Sequence, residues 1–171
     1  MLLILLLLLK LQLCILMLLK TSTLSGQSNA QENSREVAGE DDQFHRIENE
    51  KKGIRNNWFN YISVERSSYT YREIGGIYDL YITVTNNSDY MLDQVETQIS
   101  YIKSNGEIYK TETVIFNQIP PHHTQKLAAP ESNRGTSVDN LEITSIRSED
   151  LNFCYSPGSW ANNSIDPYTC R

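Results

Sequence analysis

Apolar and polar positions alternate in different ways along this chain. Residues 1–19 are almost unbroken Leu, Ile and Met, interrupted by Lys10, Gln12 and Cys14. From Thr21 to about Arg55 the residues are polar and charged, including Gln27, Asn29, Glu32 and the run Glu40-Asp41-Asp42, with scarcely an apolar position. From Trp58 onward apolar residues return with a period of two, the mark of half-buried strands.

The best-patterned stretch runs from Gly76 to Phe116. Tyr78, Leu80, Ile82 and Val84 fall on one face and Tyr81, Thr83 and Thr85 on the other, and a polar turn follows at Asn86-Asn87-Ser88-Asp89. Beyond it Val95, Thr97, Ile99 and Tyr101 alternate with Glu96, Gln98, Ser100 and Ile102. Asn105 and Gly106 both tolerate positive φ, so they predict a type I′ turn into a returning strand, Ile108 to Phe116. The whole stretch reads as a β-meander, with Leu80, Ile82, Val84, Val95 and Ile99 facing the core. Shorter strands are expected over Trp58 to Val64 with Tyr69–Tyr71, at Gln125–Ala129, around Leu141, Ile143 and Ile146, and at Leu151, Phe153 and Tyr155. About seven short strands, separated by Gly, Asn and Pro turns, predict an all-β fold, a single antiparallel immunoglobulin-like β-sandwich.

The polar segment 31–55 reads as a linker. Phe44 and Ile47 are spaced for a helix face, but one such pair buries too little surface to hold a helix. Residues 1–30 read as an export signal, with small residues at Ser28 and Ala30 ahead of Gln31 and a second cut after Gly26. Retention of that segment as a membrane anchor is the competing reading, and Lys10 within the apolar run counts against it. Lipidation at Cys14 is excluded, because bulky Leu13 precedes it. The sandwich then occupies 56–171.

Cysteine usage agrees with export. Of three cysteines, Cys14 leaves with the signal, and Cys154 and Cys170 remain to pair in an oxidising compartment. Zinc does not suit two cysteines so spaced with no histidine near. The net charge of −6 becomes about −8 on cleavage, because residues 1–30 hold two lysines and no acid. Such an acidic chain is poorly suited to nucleic acid or anionic lipid, where Lys and Arg supply the attraction. Contact with the membrane is expected only through an uncleaved N-terminal segment.

The order Val84-Thr85-Asn86-Asn87-Ser88, Leu92-Asp93-Gln94-Val95, Ser104-Asn105-Gly106 and Ile119-Pro120-Pro121 resembles the FxLYD-type immunoglobulin-like domains of exported prokaryotic proteins, over residues 77–146. The name-giving pattern would fall at Ile99, Tyr101, Ile102 and Lys103, where its apolar character is kept. The resemblance implies an extracytoplasmic accessory or binding module with no catalytic residues to carry over.

Candidate chemistry is sparse along the chain. His45, His122 and His123 are the only histidines, and the adjacent pair follows two prolines, where neighbouring side chains point apart. Glu40-Asp41-Asp42 lacks the alternating oxygens and turn glycine of a calcium loop. No nucleophile elbow or glycine-rich phosphate loop is present. No catalytic, metal or cofactor-binding residue is therefore assigned, and no cofactor is expected. The abundant strand tyrosines follow from β-propensity and cross-strand pairing. Those facing outward, Tyr81 among them, could form a ligand platform. With His122, His123, Asn133 and Arg134 on loops, Tyr81 makes up the candidate interaction surface. Asn86-Asn87-Ser88 and Asn162-Asn163-Ser164 match the N-glycosylation pattern, which has meaning only in a eukaryotic secretory pathway. The expected function is a non-catalytic extracytoplasmic module, periplasmic, surface-bound or secreted, that binds a protein or cell-envelope ligand or acts structurally. The alternatives are a secreted hydrolase or metal-dependent enzyme resting on His122-His123, and a surface-assembly subunit that exchanges a strand through a long uncovered sheet edge.

Overall fold

A computed structural model of the protein describes residues 28–158 and 166–170, with side chains from Asp42 onward. The apolar leader with Cys14 and the second Asn-x-Ser triplet lie outside the described residues. The chain divides into two units, Met1–Ile47 and Glu48–Arg171.

Among the described residues one helix, α1, runs from Ser28 to Asn56 and ends in the second unit. The segment read as a linker is thus helical. The Phe44 and Ile47 pair does not anchor it, since both side chains are exposed. What is held is the last turn: Ile54 and Arg55 are buried. A short 3₁₀ turn, Trp58–Asn60, then leads into the sheets.

Nine strands follow: β1 Ile62–Arg66, β2 Thr70–Arg72, β3 Gly76–Tyr78, β4 Tyr81–Asn86, β5 Leu92–Ile102, β6 Ile108–Ile119, β7 His123–Ala128, β8 Ser137–Ser148 and β9 Phe153–Tyr155. Seven of them form two antiparallel sheets, of order β1-β4-β7 and β6-β5-β8-β9. The other two make a separate hairpin, β2–β3. The fold is an all-β sandwich. Ile62, Leu80, Ile82 and Val84 lie buried with Val95, Ile99, Tyr101, Phe116, Ile146 and Phe153 in a single core. Burying side chains of this size contributes about 1.5–3 kcal/mol each, which is the main source of the sandwich's stability.

Three expectations are corrected. First, Gly76–Phe116 is not a meander, because β4 and β5 belong to different sheets and only β5 and β6 form a hairpin. The reason is that both strands bury one face, and facing sheets satisfy both. Second, the expected strand over 76–85 breaks at Asp79, which takes a positive φ of 58° and frees β3 to pair with β2. Third, the Asn105-Gly106 turn is not type I′. Only Gly106 has positive φ, the Gly106 N–H donates to Lys103 O, and the Lys103 N–H donates to Glu107 O. This is a type I turn closed by a glycine bulge, and the Asn105 side chain supports it by accepting from the Glu107 N–H.

The spacing of Ile143 and Ile146, which breaks the period of two, has a structural cause. The β5–β8 register jumps from Ser145 to Ile143 opposite Glu96 and Thr97, so the extra residue lets both isoleucines point inward.

Candidate interaction surface

The two ends of the sandwich differ in chemistry. At the end where α1 enters, Tyr90 OH donates to Glu50 Oε1 at 3.2 Å and Arg55 donates to Leu151 O and Asp166. The turn after β4 lies here too, built on Asn86. Its buried amide Nδ2 donates to Tyr90 O, Ile119 O and Pro120 O, while Oδ1 accepts from the backbone and hydroxyl of Ser88. The Asn86-Asn87-Ser88 triplet is therefore a closed hydrogen-bonded plug, with no free amide to carry a glycan.

The histidines sit at this same end. His122, at a φ of 55°, sets Nε2 2.7 Å from Asp89 Oδ1, whereas His123 opens β7 and sets Nδ1 2.7 Å from Pro121 O. The two imidazoles have separate partners, one a carboxylate and one a backbone carbonyl. Among the described residues no group of three or more His, Cys, Asp or Glu is placed to hold a metal ion.

The opposite end carries the rest of the candidate surface. Here the β2–β3 hairpin docks on the loop after β7 through a bridge in which the Ile77 N–H donates to Ser132 O and the Ser132 N–H donates to Ile77 O. Approach is so close that a Cβ on Gly76, at a φ of 80°, would stand 1.8 Å from Ser132 O. Only glycine fits there. Asn133 accepts from Tyr109 OH at 3.2 Å, and Arg134 follows on the same loop. Tyr81 begins β4 beside them, its N–H bonded to Ser67 Oγ. The structure thus brings Tyr81, Asn133 and Arg134 to one end and leaves His122 and His123 at the other.

Four tyrosines at the hairpin end carry a cation over the ring, one of them the buried Tyr101 under Lys110 Nζ at 5.2 Å. Lys126 Nζ is 4.4 Å from the Tyr81 centroid, the Arg72 guanidinium 4.9 Å from Tyr78, and that of Arg66 5.7 Å from Tyr69. From residue 57 to 158 the sequence holds seven Lys or Arg residues. Lys103, Lys110 and Arg147 are paired with Glu107, Glu112 and Glu149. Arg66, Arg72, Lys126 and Arg134 have no carboxylate partner among the described residues, and all four belong to this end. Beside them Ile74 at the hairpin tip is 93% exposed, and Tyr71 is exposed too. Sequence reasoning passed over Arg66, Arg72, Ile74 and Lys126. The signal available was the apolar Ile74 set in a turn between Glu73 and Gly75.

No family model matches the chain, and no curated protein matches it. Among solved structures, a crystal structure of a DUF1425 family member from Shewanella sp. pv-4 is similar over 51% of this chain and 77% of that one, at 12% identity and a TM-score of 0.36. The resemblance is weak and lies at the level of fold.

The expected disulfide is present between Cys154 and Cys170. It fastens residues 166–170 along β9, where the Cys154 N–H donates to Tyr168 O and Phe153 bridges Thr169. Arg147, Glu149 and Asn152 line a shallow cleft beside it. Among the described residues no helix is long and apolar enough to cross a membrane.

Electrostatic perturbation is confined to structural positions. Burial pushes the Tyr101 hydroxyl up to about 12, with the Glu112 charge adding to it, and that hydroxyl donates to Pro130 O. Burial raises the Asp166 carboxyl, but hydrogen bonding and charge from Arg55, with Thr169 and Lys52, outweigh it and leave the group below its ordinary value.

Proposed function

We propose that the protein is a non-catalytic extracytoplasmic module that binds an anionic protein or cell-envelope ligand through its hairpin end. One observation carries this reading: the four sandwich cations without a carboxylate partner gather beside exposed Tyr71, Ile74 and Tyr81. On an acidic chain, a local set of unpaired cations with rigid aromatic area and an apolar tip is what a complementary partner would use. Cations held over rings lose little freedom on binding, because the ring already restrains them. Export is part of the reading, supported by the disulfide and by the apolar leader. So is the likeness to FxLYD-type domains, which are modules of exported prokaryotic proteins.

The test is a photocrosslinking residue placed at Ile74 in the full chain in cells, with a matched exposed position at Asp150 after β8. A discrete adduct at Ile74 that is lost in Arg72→Glu is expected. Equal crosslinking at both positions, or turnover of a substrate that depends on a named side chain, would overturn the reading.

A further inference from the structure

Four strands stand at the edges of the two sandwich sheets, and they are not equally free. The outer side of β9 is taken by residues 168–170. β1 and β7 are short, at five and six residues. β6 has twelve residues, pairs only with β5, and makes no other backbone-to-backbone hydrogen bond among the described residues. Thr111, Thr113 and Ile115 are exposed along its outer face. A long edge of β-favouring residues is a template for a further strand.

The charges on β6 indicate which strand. Lys110 and Glu112 lie two apart on one face, with Nζ and Oε1 2.8 Å from each other. Directly opposed residues of an antiparallel pair share a face, so a two-fold axis relating two β6 strands must pass through a residue. An axis through Lys110 or Glu112 sets a charge against its own copy. An axis through Thr113 sets Lys110 opposite Phe116, whose side chain is buried. An axis through Thr111 sets Lys110 opposite Glu112 of the second copy and Glu112 opposite its Lys110, with Tyr109 opposite Thr113. The four charges then alternate in sign. Lysine on an edge strand ordinarily discourages pairing, and in this register alone it finds a partner.

We propose that β6 pairs antiparallel with β6 of a second copy about a two-fold axis through Thr111, joining the two β6-β5-β8-β9 sheets into one. Such an interface is isologous and closed, so it yields a dimer and not a fibre.

Cysteine crosslinking in the full chain, carrying Cys14→Ser, tests this. At the axis Thr111 faces its own copy at about 4.5–5.5 Å between Cα atoms, within disulfide reach. Thr111→Cys is expected to give a covalent dimer on mild oxidation, and Thr113→Cys, equally exposed but offset from its copy, to stay monomeric. Adding Lys110→Glu to Thr111→Cys should slow crosslinking about tenfold, because both opposed pairs become like-charged, and adding Glu112→Lys as well should restore it. Thermal melts of each variant show whether it is folded. A monomeric Thr111→Cys, equal crosslinking at both positions, or a failure of the double charge exchange to restore the dimer would each overturn the proposal.

Discussion

Arg55 Nε donates to Asp166 Oδ2 at 3.0 Å, joining the last turn of α1 to the segment that follows β9 across 111 positions of sequence. Arg55 is 4% exposed, and its remaining Nη1 donor is satisfied by Leu151 O. Removing one partner of a buried pair leaves the other uncompensated, so Arg55→Ala should lower stability by about 3 kcal/mol in urea unfolding. The sign of the pH dependence follows from Asp166. Its carboxyl is held below its ordinary 3.8, so the stability it contributes is complete above that value and is lost as pH falls through the folded-state value. Melting temperatures measured from pH 5 downward should therefore drop less steeply in Asp166→Asn than in the parent.

The Cys154–Cys170 bridge closes a loop with a sequence separation of 16. Restricting the unfolded chain over that length is worth about 3 kcal/mol. Cys170→Ser should lower the chemical denaturation midpoint accordingly, and the parent treated with reductant should match the variant.

Gly76→Ala places a methyl against Ser132 O at a φ that L residues avoid. The expected cost is about 2 kcal/mol or more, with the β2–β3 hairpin undocking before the sheets melt. Hydrogen exchange checks this: amides of Ile77 and Ser132 should lose protection while those of Ile82 and Ile99 keep theirs.

Tyr101 contributes in alkali. Its hydroxyl is raised from 10.0 to about 12, so its contribution is complete below 10.0 and is lost as pH rises through about 12. Ultraviolet titration should show one tyrosine ionising last, absent in Tyr101→Phe. That variant leaves Pro130 O without its donor and should cost about 1 kcal/mol.

The sandwich was legible because burial imposes a period of two: Leu80, Ile82, Val84, Val95 and Ile99 face inward as their alternation requires. Sheet membership was not, since alternation marks a buried face without saying which sheet presents it, and so β4 and β5 read as neighbours. The hold on α1 was also hidden. It rests on Arg55 meeting Asp166 and Leu151 O, on Tyr90 meeting Glu50 and on one buried isoleucine, Ile54, and long-range pairs leave no local pattern. In the candidate surface Tyr81, Asn133 and Arg134 could be named from exposure-prone residue types, yet their separation from His122 and His123 depends on which end of the sandwich each loop occupies. Ile74 was overlooked because a lone apolar residue in a turn has no periodicity to reveal it.

The entry of the chain at one end and the hairpin at the other has a mechanical consequence. β1 runs from the first to the second and leads directly into β2. If the protein is held by its N-terminal side while a partner grips the hairpin, tension passes along the covalent backbone of β1, which is already extended. The β1–β4 ladder lies alongside that path, and a strand drawn taut from both of its ends does not slide against its neighbour. The core is spared the pull, and the hairpin can act as a handle on a sandwich that stays folded behind it.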